Sequence, residues 1–336
     1  MVSFVGAGCG AADLITVRGM RLLQEADLVI YAGSLVNPEL LSYTKKGCEC
    51  LNSAYMTLDE VIDALQKGEE EGKKMVRLHT GDPSIYGAIR EQMDRLEELG
   101  IGYETCPGVT ACFGAAAALN LELTVPEVSQ SLIITRMAGR TPVPEKESIE
   151  SFASHHATMA VYLSAGHLKE LSKRLMAGGY SEDTPAAIVY KATWPEQLCL
   201  KCTVSTLDEE AEKYGIKKTA VVLVGDAISP SDYALSCLYA PDFETEYRKK
   251  KTEEAFKYIN IISFTEKGEA LAKRLSTYLF QSQQKDQADC ECDRDLVKCI
   301  SKCRASKSYS SIRLSECAKE SFEKKQGMIF IGAAGI

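Results

Sequence analysis

No stretch of about 18 residues runs without Gly, Pro or charge, so the sequence offers no membrane-spanning helix. The longest uncharged run, Thr105 to Leu121, contains Pro107, Gly108 and Gly114 and reads as a loop feeding a buried helix. The opening residues, Met1-Val2-Ser3-Phe4-Val5-Gly6, have no basic region and meet glycine at once, which argues against a signal peptide. Histidine is scarce: only His79, His155, His156 and His167 are present, and no H-E-x-x-H pattern occurs. The His155-His156 pair reads as a helix end, so no metal site is expected there. Walker A and G-x-S-x-G patterns are also missing. Positive charge is in deficit, with 39 Lys and Arg against 47 Asp and Glu, a net charge of −8. That balance gives no bulk support for binding nucleic acid or an anionic membrane. An anionic ligand would need positive charge placed locally. Without an export signal, the 13 cysteines are expected to be reduced thiols of a cytoplasmic protein.

What is present suits a globular enzyme of two or three domains: 336 residues, 45% apolar and 26% charged. Short aliphatic runs alternate with helical patterns. The runs VSFVG (2–6), LVIY (28–31) and MVRLH (75–79) predict strands, with another near Tyr103. Helices are expected over 14–25, 58–71 and 85–99, and again after Gly108. This alternation predicts α/β architecture with a mainly parallel sheet. Residues 120–130, containing Pro126, read as a crossing into a second domain, with strands LIIT (132–135), MAVYL (159–163), AIVYK (187–191) and VVLV (221–224). The expected bounds are 1–120 and 121–240 for the two domains, 241–257 for a charged linker and 258–336 for a partial α/β unit.

Several strand ends carry candidate chemistry. Gly6-Ala7-Gly8-Cys9-Gly10 follows the first strand, and its glycines allow tight turning and close approach to a ligand. It is not a G-x-G-x-x-G dinucleotide fingerprint, and LVIY ends in Ala32-Gly33 rather than an acid for a ribose hydroxyl. His79-Thr80-Gly81-Asp82-Pro83-Ser84-Ile85-Tyr86-Gly87 sits where open α/β sheets place ligands. Asp82 there either caps the next helix or accepts hydrogen bonds from a ligand. Cys106-Pro107-Gly108-Val109-Thr110-Ala111 leads into a small-residue helix, suited either to tight packing or to a flat ligand. Arg136 and Arg140 flank a Gly- and Pro-containing loop, and guanidinium groups grip carboxylates well. Tyr190, Lys191 and the single Trp, Trp194, close another strand end.

Taken in order, GAGCGAADLITVRG, LVIYAGSLV, RLHTGDPSIYG, PGVTACFGAAAAL, QSLIITRMAGRTPVPE, ATMAVYLSAGH and IVYKATWPEQ closely resemble the tetrapyrrole methylases of the cobalamin pathway. Within them, YAGSLV, RTPVPE and YKATWP resemble the group of precorrin-4 / cobalt-precorrin-4 C11-methyltransferases, over about residues 1 to 240. The resemblance implies a two-domain tetrapyrrole methylase fold, a homodimer, and S-adenosylmethionine in the cleft between domains. It implies cofactor contacts at Cys9, Thr80, Gly81, Asp82, Ile85, Thr110, Ala111, Leu163 and Ala192, mostly through backbone. Cys9, Ala11 and Ala12 depart from the family's usual GAGPGDPDLLT, losing turn rigidity and one acid. The methyl acceptor would be the electron-rich C11 carbon of a polycarboxylate macrocycle, so positioning and desolvation carry the reaction and no catalytic side chain is nominated. Arg136, Arg140 and Lys191 are the candidate substrate contacts, with Arg18 and Arg90 behind them.

Beyond Tyr258, INIISFTEKGEALAKRLS and MIFIGAAGI resemble the N-terminal region of cobalt-precorrin-5A hydrolases, which act next in the pathway. The glycine turn at the end normally opens a helix, so this region reads as a fragment, inactive as a hydrolase and a possible docking module for the next pathway enzyme. Cys290, Cys292, Cys299 and Cys303 fall inside it. Their spacing is compatible with zinc, whereas the helical pattern of Leu296, Val297 and Ile300 favours reduced thiols. Competing functions are methylation of another tetrapyrrole position, of diphthine or of ribosomal RNA, and a nicotinamide oxidoreductase.

Overall fold

The computed structural model describes residues 1–139, 141–231, 233–240 and 243–248, together with two short strands at 262–264 and 310–311. The first 235 residues form one unit built on two five-stranded sheets.

The first sheet contains β1 (Val2–Gly6), β2 (Leu28–Tyr31), β3 (Glu49–Asn52), β4 (Met75–His79) and β5 (Tyr103–Cys106), in the order β3-β2-β4-β1-β5. Every pairing is parallel, as the βα alternation predicts. Its helices are α1 (Val17–Glu25), α2 (Leu58–Glu70) and α3 (Arg90–Glu98), whereas α4 (Ala111–Leu119), which follows β5, packs its small residues on the second sheet. α2 shows why they form. Thr57 and Glu60 make a reciprocal capping box, and Val61, Ile62 and Leu65 repeat on one buried face. That face meets Phe4, Ile30 and Met75 of the sheet, all fully buried, each worth about 1.5–3 kcal/mol against exposure.

The second sheet is built from β6 (Leu132–Arg136), β7 (Thr158–Tyr162), β8 (Pro185–Tyr190), β9 (Leu198–Thr203) and β10 (Ala220–Val224). Its order is β6-β7-β10-β8-β9, and only β6 and β7 run parallel. The expectation of parallel strands therefore holds for the first sheet and not for the second. Hairpin-like neighbours β8 and β9 replace a crossover helix there. α5 (Ile149–Ala153), α6 (Leu168–Ala177) and α7 (Leu207–Lys213) cover one face, with Leu168, Leu171 and Leu175 in its core. His155 and His156 follow α5, as expected of a helix end.

Two local expectations need correcting. α3 starts at Arg90 rather than Ile85, because Tyr86 and Ala88 take left-handed backbones (φ 55° and 49°) that no α-helix accommodates. The first helix is split: a 3₁₀ turn at Ala12–Leu14 precedes α1, whose start is capped by Thr16 accepting from the Gly19 N–H at 3.1 Å.

In the second unit, the Arg248 guanidinium donates to the carbonyls of Leu238, Ala240 and Phe243. Strand Ile262–Phe264, inside the INIISF run, pairs antiparallel with Ser310–Ser311. The rest of residues 258–336, where the hydrolase resemblance and Cys290, Cys292, Cys299 and Cys303 fall, lies outside the described residues. No helix among the described residues is long and apolar enough to cross a membrane.

Candidate active site

Four glycines fix the C-terminal edge of the first sheet. Gly8 and Gly81 exchange backbone hydrogen bonds at 3.2 and 2.9 Å, joining the loops after β1 and β4. A Cβ on Gly108 would stand 2.2 Å from the Gly81 carbonyl oxygen, and one on Gly6 would stand 2.6 Å from the Gly108 Cα. No side chain can enter these gaps, because backbone faces backbone. Gly81 also needs its left-handed φ of +63°.

Asp82 locks this arrangement. One carboxylate oxygen accepts from the Gly108 N–H at 2.9 Å, and the other from the Ser84 N–H at 2.8 Å and from the Ser84 hydroxyl. Partial burial alone would raise its pKa. The hydrogen bonds from Ser84 and Gly108 outweigh that and hold it below the usual carboxylate range. The two readings left open for Asp82, cap or ligand acceptor, resolve into a brace across two loops.

The second sheet clamps the first. Thr193 Oγ1 accepts from the Ala11 N–H at 2.9 Å and lies 3.6 Å from Cys9 Sγ. Cys9 packs on Gly114, where a Cβ would come within 2.6 Å of it, and the Trp194 ring covers Gly10. Tyr162 Oη accepts from the Cys112 N–H at 2.7 Å and shares a hydrogen bond with Thr110 Oγ1 at 2.8 Å. Burial pushes the Tyr162 phenol well above its ordinary pKa, so it stays protonated.

These contacts enclose a cavity of about 670 Å³ between the strand ends of the two sheets, a size typical of small-molecule sites. Of the residues predicted from sequence, Cys9, Thr80, Gly81, Ile85, Thr110, Ala111, Leu163, Ala192 and Lys191 line it. Asp82 and Arg136 do not. Arg136 is turned onto its own loop, donating to the carbonyls of Met137, Thr141 and Pro142 at 3.0–3.3 Å. Arg140 lies outside the described residues. Lys191 Nζ sits 5.4 Å from the Trp194 ring centre and 3.4 Å from a Glu196 carboxylate oxygen. Arg90 is paired with Asp94 and Glu97 on the outer face of α3, and neither it nor the exposed Arg18 reaches the cavity.

Strain concentrates at this wall. Tyr86, Ala88, Leu163 and Lys191 all have positive φ without being glycine, and all line the cavity. Such backbones cost of order 1–3 kcal/mol each and cluster at functional sites. Two buried polar atoms at the wall, Thr80 Oγ1 and His79 Nε2, have no hydrogen-bond partner among the described residues.

Sequence reasoning named His79 only as the first residue of a motif, and it passed over Arg77. Both are buried on β4 and line the cavity. Arg77 donates to Gln92 Oε1 (3.0 Å), the Ile30 carbonyl (3.0 Å) and Ser53 Oγ (3.2 Å). Burial lowers its pKa to about 10, still leaving it charged near neutrality. Burial, and then the nearby Arg77 charge, depress His79 to about 3, so the imidazole is neutral. An Arg and a His inside an otherwise aliphatic strand, MVRLH, are the signal that could have found them. No cluster of three His, Cys, Asp or Glu among the described residues could hold a metal ion.

A family profile, Tetrapyrrole (Corrin/Porphyrin) Methylases, matches residues 1–208. The cobalt-precorrin-4 C(11)-methyltransferase of Methanocaldococcus jannaschii is 52% identical over 248 residues, covering 74% of this chain and 96% of that protein. The precorrin-4 C(11)-methyltransferase of Pseudomonas aeruginosa is 42% identical over 247 residues, covering 74% and 98%. Among solved structures, a cobalt-precorrin-4 methyltransferase superposes with a TM-score of 0.67 at 47% identity, covering 68% of this chain and 96% of that one. With the profile spanning most of both sheets, the chain belongs to the tetrapyrrole methylases.

Proposed function

We propose that this chain transfers a methyl group from S-adenosylmethionine to C11 of precorrin-4 in its cobalt-bearing form, giving cobalt-precorrin-5, a step of cobalamin biosynthesis. The observation that carries this reading is the cavity between the two sheets, walled by backbone and small side chains and containing the partnerless Thr80 hydroxyl. The higher identity to the cobalt-precorrin-4 enzyme than to the precorrin-4 enzyme supports the cobalt form.

Cys9, Thr80, Gly81, Ile85, Thr110, Ala111, Leu163 and Ala192 would hold the cofactor, and their fit rests on the same features. The Thr80 hydroxyl offers an unused donor, and the helix start at Thr110–Ala111 offers backbone N–H groups. When bound, the cofactor supplies an electrophilic sulfonium methyl. Asp82 keeps the Gly81 and Gly108 loops in register, so the cradle keeps its shape. Lys191, at the cavity wall, would meet carboxylates of the macrocycle, and Arg136 would do so on leaving the carbonyls of its own loop. Tyr162 and Tyr86, whose rings lie 5.6 Å apart, exclude water from the wall. C11 is already nucleophilic, so orientation does most of the work and no general base is assigned.

In this reading the enzyme is a cytoplasmic homodimer, and residues 258–336 form a hydrolase-like region that docks the next enzyme of the pathway. Titration calorimetry with S-adenosylhomocysteine, with NAD as control, tests the cofactor assignment. Binding of the first and not the second is expected; binding of NAD would overturn it.

A further inference from the structure

Arg77 is a buried cation with no counter-ion among the described residues. Its three bonds go to an amide oxygen, a backbone carbonyl and a hydroxyl, all neutral. No carboxylate of the described residues pairs with it, and Glu91, the acidic residue lining this part of the cavity, is exposed and makes no bond to it. A guanidinium has five N–H groups, so two remain for a guest. His79, two residues along β4, shares the same face of the strand. Its Nε2 is buried and partnerless at the same cavity wall. Burying an uncompensated charge beside an unsatisfied ring nitrogen is costly, and neither helps the apo fold. The cavity they share is also lined by Ala32, Met56 and Val61, apolar groups that would strengthen a charge-assisted bond made there.

We infer that Arg77 and His79 form a built carboxylate subsite, and that one acid side chain of the tetrapyrrole substrate seats there, against the Arg77 guanidinium and the Nε2 edge of the His79 ring. This rests on the proposed methylation reaction and adds a specificity determinant to it. Lys191 and the Arg136 loop lie at solvent-facing positions, where charges attract any anion. A buried fork accepts a carboxylate only in one position, so it would set which edge of the macrocycle enters first and hence which carbon faces the methyl donor. The cofactor also carries a carboxylate, so the test must separate the two sources.

The full chain is compared with Arg77→Met and Gln92→Glu for KM and kcat with cobalt-precorrin-4, for S-adenosylhomocysteine affinity, and for Tm. Gln92→Glu keeps the side-chain size, loses the Gln92 Nε2–H bond to the Ala88 carbonyl, and gives Arg77 an internal carboxylate that competes with the guest, so it remains informative if Arg77→Met fails to fold. The expected result is a KM increase of about 10- to 100-fold in each folded variant, the loss of one charge-assisted hydrogen-bonded contact. S-adenosylhomocysteine affinity should stay at the wild-type value. Unchanged KM would overturn the subsite. A weakened S-adenosylhomocysteine affinity with KM intact would overturn it in favour of the cofactor's carboxylate. No wild-type turnover of cobalt-precorrin-4 would instead contradict the reaction, and the subsite with it.

Discussion

The two sheets contribute to one cavity by opposite means. At the first sheet, the wall is made by the absence of side chains: Gly6, Gly81 and Gly108 let three strand ends touch through backbone. At the second sheet, the wall is made by side chains: Tyr162 reaches across to Thr110 and Cys112, and Thr193 reaches Ala11. The first arrangement is rigid and tolerates no added atom. The second depends on individual hydrogen bonds and should fail gradually. A parallel sheet ending in glycine turns thus supplies shape, and a mixed sheet supplies the latches that close on it.

Gly108→Ala probes the first arrangement hardest. Its methyl would overlap the Gly81 carbonyl, so backbone must move, and a loss of about 3 kcal/mol or more in unfolding free energy is expected by urea denaturation. A near-neutral result would mean the glycine contacts are not rigid. Asp82→Ala leaves the loops in contact but removes their brace. Loss of a charged acceptor for Gly108 and Ser84 should cost about 1.5–3 kcal/mol and weaken S-adenosylhomocysteine binding in calorimetry.

His79 gives the comparison a pH axis. Its folded pKa, about 3, lies below the unfolded value of 6.5, so the unfolded state binds the extra proton between them. Stability is then complete above pH 6.5 and falls as the pH drops toward 3, by about 1.4 kcal/mol per pH unit from this group. His79→Phe should remove that slope, read as a narrowing gap between variant and wild type on acidification. At the second sheet, Glu196→Gln breaks only the exposed pairing to Lys191 and should change stability by less than about 0.5 kcal/mol.

The same contrast explains what could be read from the sequence. The aliphatic strands β1, β2, β4 and β10 were plain because both their faces are buried. β3 (ECLN) and β9 (LCLKCT) were not, since edge strands half open to solvent carry no continuous apolar run. The antiparallel order of the second sheet was hidden because periodicity reports burial and not strand direction. Nine of the lining residues were named through strand-end motifs and family resemblance. Arg136 was placed by its loop but not by its bonds, since a chain carries no sign that a guanidinium will turn back onto the carbonyls of Thr141 and Pro142. Arg77 was missed because a charge inside a buried strand looks like an interruption of the pattern rather than a site.

Incubating the purified chain with cobalt-precorrin-4 and S-adenosylmethionine bearing an isotope-labelled methyl, then locating the label by NMR, tests the central claim most directly. A single labelled methyl on C11 is the expected result. A label on any other carbon, or none while S-adenosylhomocysteine binds normally, would contradict it.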